Sequence, residues 1–252
     1  MNRTERLSEL LQLSHELGDP QQPLAILAEG NASTRLGAKS FLVKASGASL
    51  ATLRAPEVVE CVTRLLLPLL DDTGVSDRDV EAALLDSRID PAARRPSVES
   101  LFHAWLLTLP GVEFVGHAHP PAVNSILCSP RAVEFAARRM FPDEIVCCDI
   151  ASVFVPYTDP GLALARKIRE RAGLFIRRHR RPPRVILLGN HGVIALGRTA
   201  EAVVAAMRMA EKAAQIWLGS LALGGPIFLK REQVERIAGR PDERIRRQIL
   251  ES

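Results

Sequence analysis

Two short apolar runs constrain the fold more than any other part of this sequence. Arg184–Leu188 and Val193–Leu196 are dominated by aliphatic and β-branched side chains, which favour strands. Gly189-Asn190-His191-Gly192 joins them, and this composition is typical of a hairpin turn. Because a hairpin pairs its strands antiparallel, a sheet that contains these runs cannot be purely parallel.

Helical patterns alternate with further strand patterns along the 252 residues, which predicts a single mixed α/β domain over 1–252. Its core is expected at about 25–220 and a helical tail at about 231–252. Apolar spacing predicts helices over Glu5–Leu17, Pro56–Leu70, Ser76–Ser87, Ser97–Thr108, Gly161–Arg178, Thr199–Leu223 and, as a short polar helix, Asp242–Leu250. Thr4 and Ser97 are the expected caps of two of them. Strands are predicted over Ser40–Ala45, Gly111–His119, Glu144–Cys148 and Ser152–Val155.

The composition indicates a cytoplasmic globular protein. Hydrophobic residues make up 47% and charged residues 25%, and no apolar run reaches the roughly 18 residues that a membrane span needs. The first residues lack the apolar core of a signal peptide, and the four cysteines lack metal-type spacing. The net charge is +4, with basic runs at Arg177–Arg181 and Arg244–Arg247. Since no aromatic residues interleave with them, we expect no nucleic-acid partner.

Three histidines are the candidates for chemistry: His117, His119 and His191. The first two are separated by one residue on a predicted strand, so both imidazoles point to the same face. His191 lies in the hairpin turn. Together they could form a three-nitrogen site for Zn²⁺, although Mn²⁺, Fe²⁺ or Co²⁺ also accept imidazole, and each histidine could instead be an ordinary sheet or turn residue. The other histidines, His15, His103 and His179, are interpreted as structural or solvated.

Glu99 lies in the expected first turn of the helix that begins at Ser97. A carboxylate there could cap the helix, or it could face the metal and act as a general acid or base. Several small polar positions could bind an anion through their backbone N–H groups, or could simply form turns and caps. These positions are Gly30, Asn31, Ser46, Gly47 and Ser97.

Taken in order, these segments resemble the class II aldolase/adducin family. The matching motifs are Gly30-Asn31-Ala32-Ser33, Ser46-Gly47, Pro96-Ser97-Val98-Glu99, His117-Ala118-His119 and Asn190-His191-Gly192, spread over roughly residues 25 to 220. The stretches around Ser46 and Glu99 look most like the aldolase part of bacterial bifunctional rhamnulose-phosphate aldolase/dehydrogenase proteins. We expect a chain of this length to lack the dehydrogenase domain.

The resemblance implies a three-layer α/β/α fold with a mostly antiparallel sheet, in a homotetramer whose active sites lie at subunit interfaces. It implies zinc bound by His117, His119 and His191, with Glu99 as the catalytic acid/base. Gly30, Asn31, Ser46, Gly47 and Ser97 then belong to the pocket for the substrate phosphate. The implied activity is a zinc-dependent lyase that cleaves a small hydroxy-carbonyl compound through a metal-stabilised enediolate.

Two residues depart from the family pattern. Val98 stands where related proteins often have a second serine that contacts phosphate. The recognised substrate could therefore carry a carboxylate, or be a smaller oxygenated compound, instead of a phosphate. The single tyrosine, Tyr157, does not match the catalytic tyrosines of related aldolases. A decarboxylase or epimerase therefore stays open beside the aldolase, although the epimerases usually have Asp where this chain has Glu99. A non-catalytic adducin-like assembly module is the third alternative.

Overall fold

The computed structural model describes residues 2–243 and 245, and within them a seven-stranded sheet forms the centre of the molecule. Its strands are β1 (Asn31–Leu36), β2 (Ser40–Lys44), β3 (Val58–Val62), β4 (Phe114–Ala118), β5 (Val153–Val155), β6 (Val185–Leu188) and β7 (Gly192–Gly197), in the spatial order β3-β2-β1-β4-β7-β6-β5. Every neighbouring pair is antiparallel except β5 and β6. The predicted hairpin is β6–β7, and the mostly antiparallel sheet is confirmed.

Helices cover both faces of this sheet. They are α1 (Arg3–Leu17), α2 (Thr63–Leu66), α3 (Asp77–Asp86), α4 (Ser100–Leu106), α5 (Pro121–Leu127), α6 (Ala132–Ala137), α7 (Pro142–Cys148), α8 (Leu162–His179), α9 (Ala200–Leu221) and α10 (Arg231–Gly239). The helices α1, α5, α6, α7 and α9 pack on one face, and α2, α3, α4 and α8 on the other. In the part of the chain that the structure describes, none of them combines the length and the apolar character needed to cross a membrane.

The alternation of side chains along each strand builds two separate cores. In β7, Val193 and Ala195 join the core under α1 and α9, whereas Ile194 and Leu196 join the core under α4 and α8. This is the consequence of side chains that point to opposite faces at successive positions. Burial of apolar area on both faces stabilises the sheet by about 25 cal/mol per Å². The predicted three-layer α/β/α architecture is therefore confirmed.

The predicted helix over Pro56–Leu70 is wrong. The segment forms a 3-10 turn at Ala55–Glu57, then strand β3, then α2 and a second 3-10 turn at Leu67–Leu70. The adjacent valines Val58 and Val59 favour a strand, and β2 offers a free edge to pair with. Tertiary pairing thus overrides helical spacing here.

The predicted strand over Glu144–Cys148 is also wrong, because these residues lie in α7. Pro142 stands at the first helical position and Asp143 and Glu144 follow in the first turn, all of which favour a helix start. The cap of α1 is Asn2 rather than Thr4, since the Asn2 side chain accepts from the Glu5 backbone N–H. Of the expected tail, α10 is present, while residues 244 and 246–252 lie outside the described part.

The register of the central strands sets the position of the candidate residues. Asn31 at the start of β1 lies opposite His117 near the end of β4, and His117 lies opposite Ile194 of β7. Gly192 at the start of β7 pairs with Leu188 of β6. The beginning of β1, the end of β4 and the hairpin turn therefore meet at one edge of the sheet.

Candidate active site

The rings of His117, His119 and His191 come together at this edge. One ligand nitrogen from each ring lies within 4.8 Å of the other two, and the His117 and His119 Nε2 atoms are 3.1 Å apart. β4 ends at Ala118, so His119 follows the strand rather than belonging to it. Its backbone N–H donates to the Leu24 carbonyl, which keeps its ring beside His117.

The outer nitrogens of two of these rings have acceptors of their own. His117 Nδ1 donates to the Val193 carbonyl at 3.0 Å, and His119 Nδ1 donates to a Glu29 carboxylate oxygen at 3.1 Å. Since a carbonyl and a carboxylate only accept, both Nδ1 atoms carry the proton and both Nε2 atoms present lone pairs to each other. Burial and the neighbouring histidines hold the pKa of His117 well below its usual value. Burial also lowers the pKa of His191.

This donor set fits a divalent cation. Two facing lone pairs repel each other unless a cation lies between them, and neutral imidazoles are the form that binds metal. The 3.1 Å distance between the two Nε2 atoms is close to the roughly 3.3 Å expected in a tetrahedral zinc site with bonds of about 2.0–2.1 Å. His117, His119 and His191 could therefore hold the ion. The carboxylate on His119 and the carbonyl on His117 are typical orienting partners of metal-bound histidines.

The hairpin turn is shaped to bring His191 to the cluster. Asn190 has φ +53°, in the left-handed region, and the Asn124 amide donates to the His191 carbonyl at 3.0 Å. A Cβ on Gly192 would lie 2.6 Å from both the Ala118 carbonyl oxygen and the His119 ring. Glycine is thus required for the turn and β4 to approach closely.

The Glu99 carboxylate lies beside the histidines. Its Oε2 is 3.7 Å from His117 Nε2 and its Oε1 is 3.5 Å from His191 Nε2. α4 begins at Ser100, so Glu99 is at the cap position, where its side chain makes no capping hydrogen bond. The expected helix start directly after Ser97 is wrong, since the helix begins only at Ser100. Ser97 Oγ still accepts from the Glu99 backbone N–H, in the turn before the helix.

The residues predicted to bind an anion surround this edge. Gly30 has φ +67°, and a Cβ there would lie 2.6 Å from the His117 carbonyl oxygen. Asn31 donates from Nδ2 to Glu99 Oε2 at 2.5 Å. Ser46 and Gly47 form an exposed turn, and the bridge between Ala45 and Pro96 brings that turn next to Ser97.

The two residues that depart from the family pattern, Val98 and Tyr157, have partners outside this cluster. Val98 packs against the core under α4 and α8, close to Gly161. Tyr157 is 61% exposed, and its hydroxyl donates to Asp159. That bond raises the pKa of the tyrosine.

Lys44 is a buried cation that the sequence did not indicate as functional. Its ammonium donates to the Ala48 carbonyl at 2.6 Å and the Ala28 carbonyl at 3.2 Å, which ties the turn at Ser46 to the segment before Asn31. Burial lowers its pKa to about 8, an effect that the nearby negative charge of Glu99 opposes. Only its place at the end of an apolar strand could have signalled burial.

Glu29 and His103 were also missed as parts of the site. Glu29 is 90 positions from His119 in the sequence and 3.1 Å from it in space. His103 was interpreted as structural or solvated; it is fully buried and hydrogen-bonded to Asn31 and Ser33. Its position four residues after Glu99, one helical turn away, was the available signal.

The chain belongs to the family of class II aldolase and adducin N-terminal domains, whose model matches residues 8–218. The fold and the order of the site segments agree with that assignment. Among curated proteins, the chain is 29% identical over 180 residues to the uncharacterized oxidoreductase YuxG of Bacillus subtilis. That match covers 68% of this chain and 24% of YuxG, so the chain spans about a quarter of its curated relative.

Solved structures share the fold. YgbL of Klebsiella pneumoniae, a candidate aldolase, epimerase or decarboxylase, has a TM-score of 0.71 at 21% identity, covering 94% of this chain and 99% of its own. The N-terminal class II aldolase domain of a Thermoplasma acidophilum protein has a TM-score of 0.67 at 22% identity, covering 86% and 96%. L-fuculose-1-phosphate aldolase of Thermus thermophilus has a TM-score of 0.60 at 21% identity, covering 89% and 100%.

Proposed function

We propose that this chain is a zinc-dependent lyase that cleaves a small hydroxy-carbonyl substrate in a retro-aldol step. One observation carries the proposal: three imidazoles converge on one point, and a carboxylate lies 3.5–3.7 Å from two of them. Membership in the aldolase and adducin family supports an enzyme of the aldolase type. An assembly module has no use for facing lone pairs beside a carboxylate.

His117, His119 and His191 would hold the Zn²⁺, which when bound supplies a Lewis acid for the negative charge that develops on the substrate carbonyl oxygen. Glu99 is the proton carrier. When the C–C bond breaks, its electron pair stays with the carbon next to the carbonyl, and Glu99 delivers a proton to that carbon. The substrate hydroxyl loses its proton to solvent as the aldehyde forms, and Glu99 regains a proton from solvent, so the step balances. In the reverse direction the Glu99 carboxylate removes the same proton.

The substrate's anionic end would be bound on the opposite side of Glu99. Asn31 lies against the carboxylate, and Gly30, Ser46, Gly47 and Ser97 surround the adjoining edge. The turn at Gly47 is open, since a Cβ there would meet nothing within 4 Å. With Val98 packed into the core, this pocket offers one hydroxyl fewer than a pair of serines, so a carboxylate is proposed beside phosphate as the recognised group.

A decarboxylase is the second candidate, and Tyr157 favours it. Retro-aldol cleavage requires the substrate's hydroxyl proton to leave, and the aldolases that this chain resembles use tyrosines for such exchange. The single tyrosine of this chain instead donates to Asp159. Loss of CO₂ needs no acceptor for a hydroxyl proton. An epimerase would use the same carboxylate, but the usual Asp is replaced by Glu99.

A cytoplasmic homotetramer with the site at its subunit interfaces is part of the same proposal. The tetramer would close the exposed turn at Ser46 and Gly47 with residues of a neighbouring copy. Mass photometry of the purified chain at nanomolar to micromolar concentration measures this directly. A monomer over the whole range would contradict the proposed tetramer. The proposed reaction would then have to take place within a single chain.

The experiment loads the purified chain with Zn²⁺ and screens hydroxy-ketones and hydroxy-acids, each with and without phosphate, for release of aldehyde and of CO₂. We expect about one zinc per chain and aldehyde release that Glu99→Gln lowers by about 10²–10⁴-fold while zinc stays bound. Glu134→Gln on α6, a half-buried carboxylate that pairs with Arg131, is the matched control. CO₂ without aldehyde would establish the second candidate, and failure to take up zinc would contradict both.

A further inference from the structure

A line of buried polar side chains runs from β1 through α4 to the Glu99 carboxylate. Ser33, Asn31 and His103 are each at most 2% exposed. Ser33 Oγ and His103 Nδ1 are 2.6 Å apart, and His103 Nε2 contacts Asn31 Oδ1. Asn31 Nδ2 then reaches Glu99 Oε2 at 2.5 Å. Buried polar groups are costly unless all are paired, so this arrangement is closely specified.

The direction of every hydrogen bond in this line follows from its chemistry. The amide oxygen of Asn31 only accepts, so His103 Nε2 must carry the ring proton. His103 Nδ1 is then an acceptor, and the Ser33 hydroxyl donates to it. With its oxygen engaged by His103, the Asn31 amide can present only its NH₂ group to Glu99.

The local structure holds the His103 ring between its two partners on β1. Asn31 and Ser33 alternate along β1 and face the same side, so both reach one ring. His103 lies one turn after Glu99, and its backbone N–H donates to the Glu99 carbonyl. The Phe102 ring stacks on the imidazole with centroids 4.6 Å apart, which fixes its plane.

We propose that His103 is a positioning residue, whose Nε2–H tautomer orients the Asn31 amide so that it holds the Glu99 carboxylate toward the histidine cluster. Without this bond the amide can turn over, and its oxygen would then face a carboxylate oxygen at 2.5 Å. The role of Glu99 in moving a proton rests on the proposed function; the tautomer and the orientation of the amide do not.

The first test observes the tautomer by NMR of the metal-free chain labelled with ¹⁵N at histidine and asparagine. We expect His103 to bear its proton on Nε2 and to keep that state when Zn²⁺ is added. The rings of the three-histidine cluster should respond to the metal. His103→Gln, which removes one set of ring signals, assigns the resonance. A proton on Nδ1 would overturn the proposal, because Nε2 would then accept from the amide and turn its oxygen toward Glu99.

The second test compares two substitutions of the same residue. Gln can donate to Asn31 and accept from Ser33 as the imidazole does, whereas Leu can do neither. In the His103→Leu chain we expect the Asn31 NH₂ protons to lose their protection from solvent exchange, and in His103→Gln to keep it. Zn²⁺ affinity should be the same in both. Equal protection in both variants would contradict the positioning role.

The third test follows proton transfer at carbon. It measures how fast the carbon-bound protons of dihydroxyacetone and its phosphate are replaced by deuterium from D₂O. His103→Leu should lower the rate constant by about 10–100-fold with little change in KM, and His103→Gln should restore most of it. A change in KM alone would place His103 in substrate binding and contradict the proposal. If the wild-type chain exchanges no deuterium, neither compound is a substrate and the proposed function has to be tested by the wider screen, while the NMR signals still decide the inference.

Discussion

Two buried polar clusters in this molecule have opposite designs. Arg139 on the α6–α7 connection is 2% exposed, and its guanidinium donates to the carbonyls of Asp149, Cys148, Arg138 and Ala136 and to the Ser152 hydroxyl, with the Glu144 carboxylate 3.6 Å away. The histidine cluster instead turns acceptor nitrogens toward one another. We call the Arg139 cluster closed, because its polar groups bind one another and stabilise the fold. We call the histidine cluster open, because its acceptor nitrogens keep lone pairs that a ligand could use.

The largest effect is expected from breaking the closed cluster. Arg139→Met removes five hydrogen bonds and leaves Glu144 buried without its cation, while burial already raises the pKa of that carboxyl. We expect a loss of about 3–5 kcal/mol in the free energy of unfolding, measured with urea. Arg131→Met, which breaks an exposed ion pair, should cost less than about 1 kcal/mol. Zinc affinity unchanged in folded Arg139→Met would show the clusters to be independent.

Breaking the open cluster should leave the chain folded but weaken its binding of zinc. His117→Ala takes away one of three nitrogens, and apparent zinc binding energies of about 10–16 kcal/mol are shared among three or four ligands. Zinc affinity should therefore fall by roughly 10²–10³-fold in a competition titration with a chelator. His15→Ala, which removes a ring that is hydrogen-bonded to the Leu53 carbonyl and lies outside the cluster, is the control. Full zinc affinity in His117→Ala would mean that the ligand set is wrong.

Lys44 shares a feature with each cluster. Two backbone carbonyls accept hydrogen bonds from its ammonium, as in the closed cluster, but burial disfavours its charged form. Its pKa is about 8 in the folded chain and near 10.5 in the unfolded one. Between these pH values the unfolded chain binds more protons, so the Lys44 contribution to stability rises as pH increases from 8 to 10.5, by up to about 3 kcal/mol. Urea unfolding should show that Lys44→Met loses this rise and that Lys39→Met, at an exposed position, retains it. Parallel pH curves for wild type and Lys44→Met would contradict the account.

The smallest effect is expected at the outer partner of His119. Glu29→Gln keeps an acceptor for His119 Nδ1 but removes the charge, and loss of such an orienting partner typically costs about 10–100-fold in metal affinity. The same chelator competition measures it, with Glu16→Gln as the control on α1. A loss as large as that of His117→Ala would mean that Glu29 itself belongs to the ligand set.

The sequence predicted the open cluster far better than the closed one, and the reason is physical. The hairpin, the long helices α8 and α9 and the His117/His119 pair depend on local periodicity and turn chemistry, which a sequence displays. Glu29 and His103 acquire their partners from distant segments, as Glu29 does across 90 positions. The partners of Arg139 are near in sequence, but most of them are backbone carbonyls, which no pattern of side chains displays. The same cause made the prediction at Val58–Val62 wrong, since the partner strand decided that structure.

The pairing of Asn31 with His117, and of His117 with Ile194, links the register of the sheet to metal binding. A slip of β4 by one residue against either neighbour would turn its imidazole to the opposite face of the sheet. If the three histidines bind zinc as proposed, a chain with a misaligned β4 would present fewer than three of these imidazoles, and we expect it to bind the ion more weakly. Retention on an immobilised chelated metal, followed by elution with free zinc, would then enrich molecules in which β4 has the correct register. Activity could be assayed on that fraction.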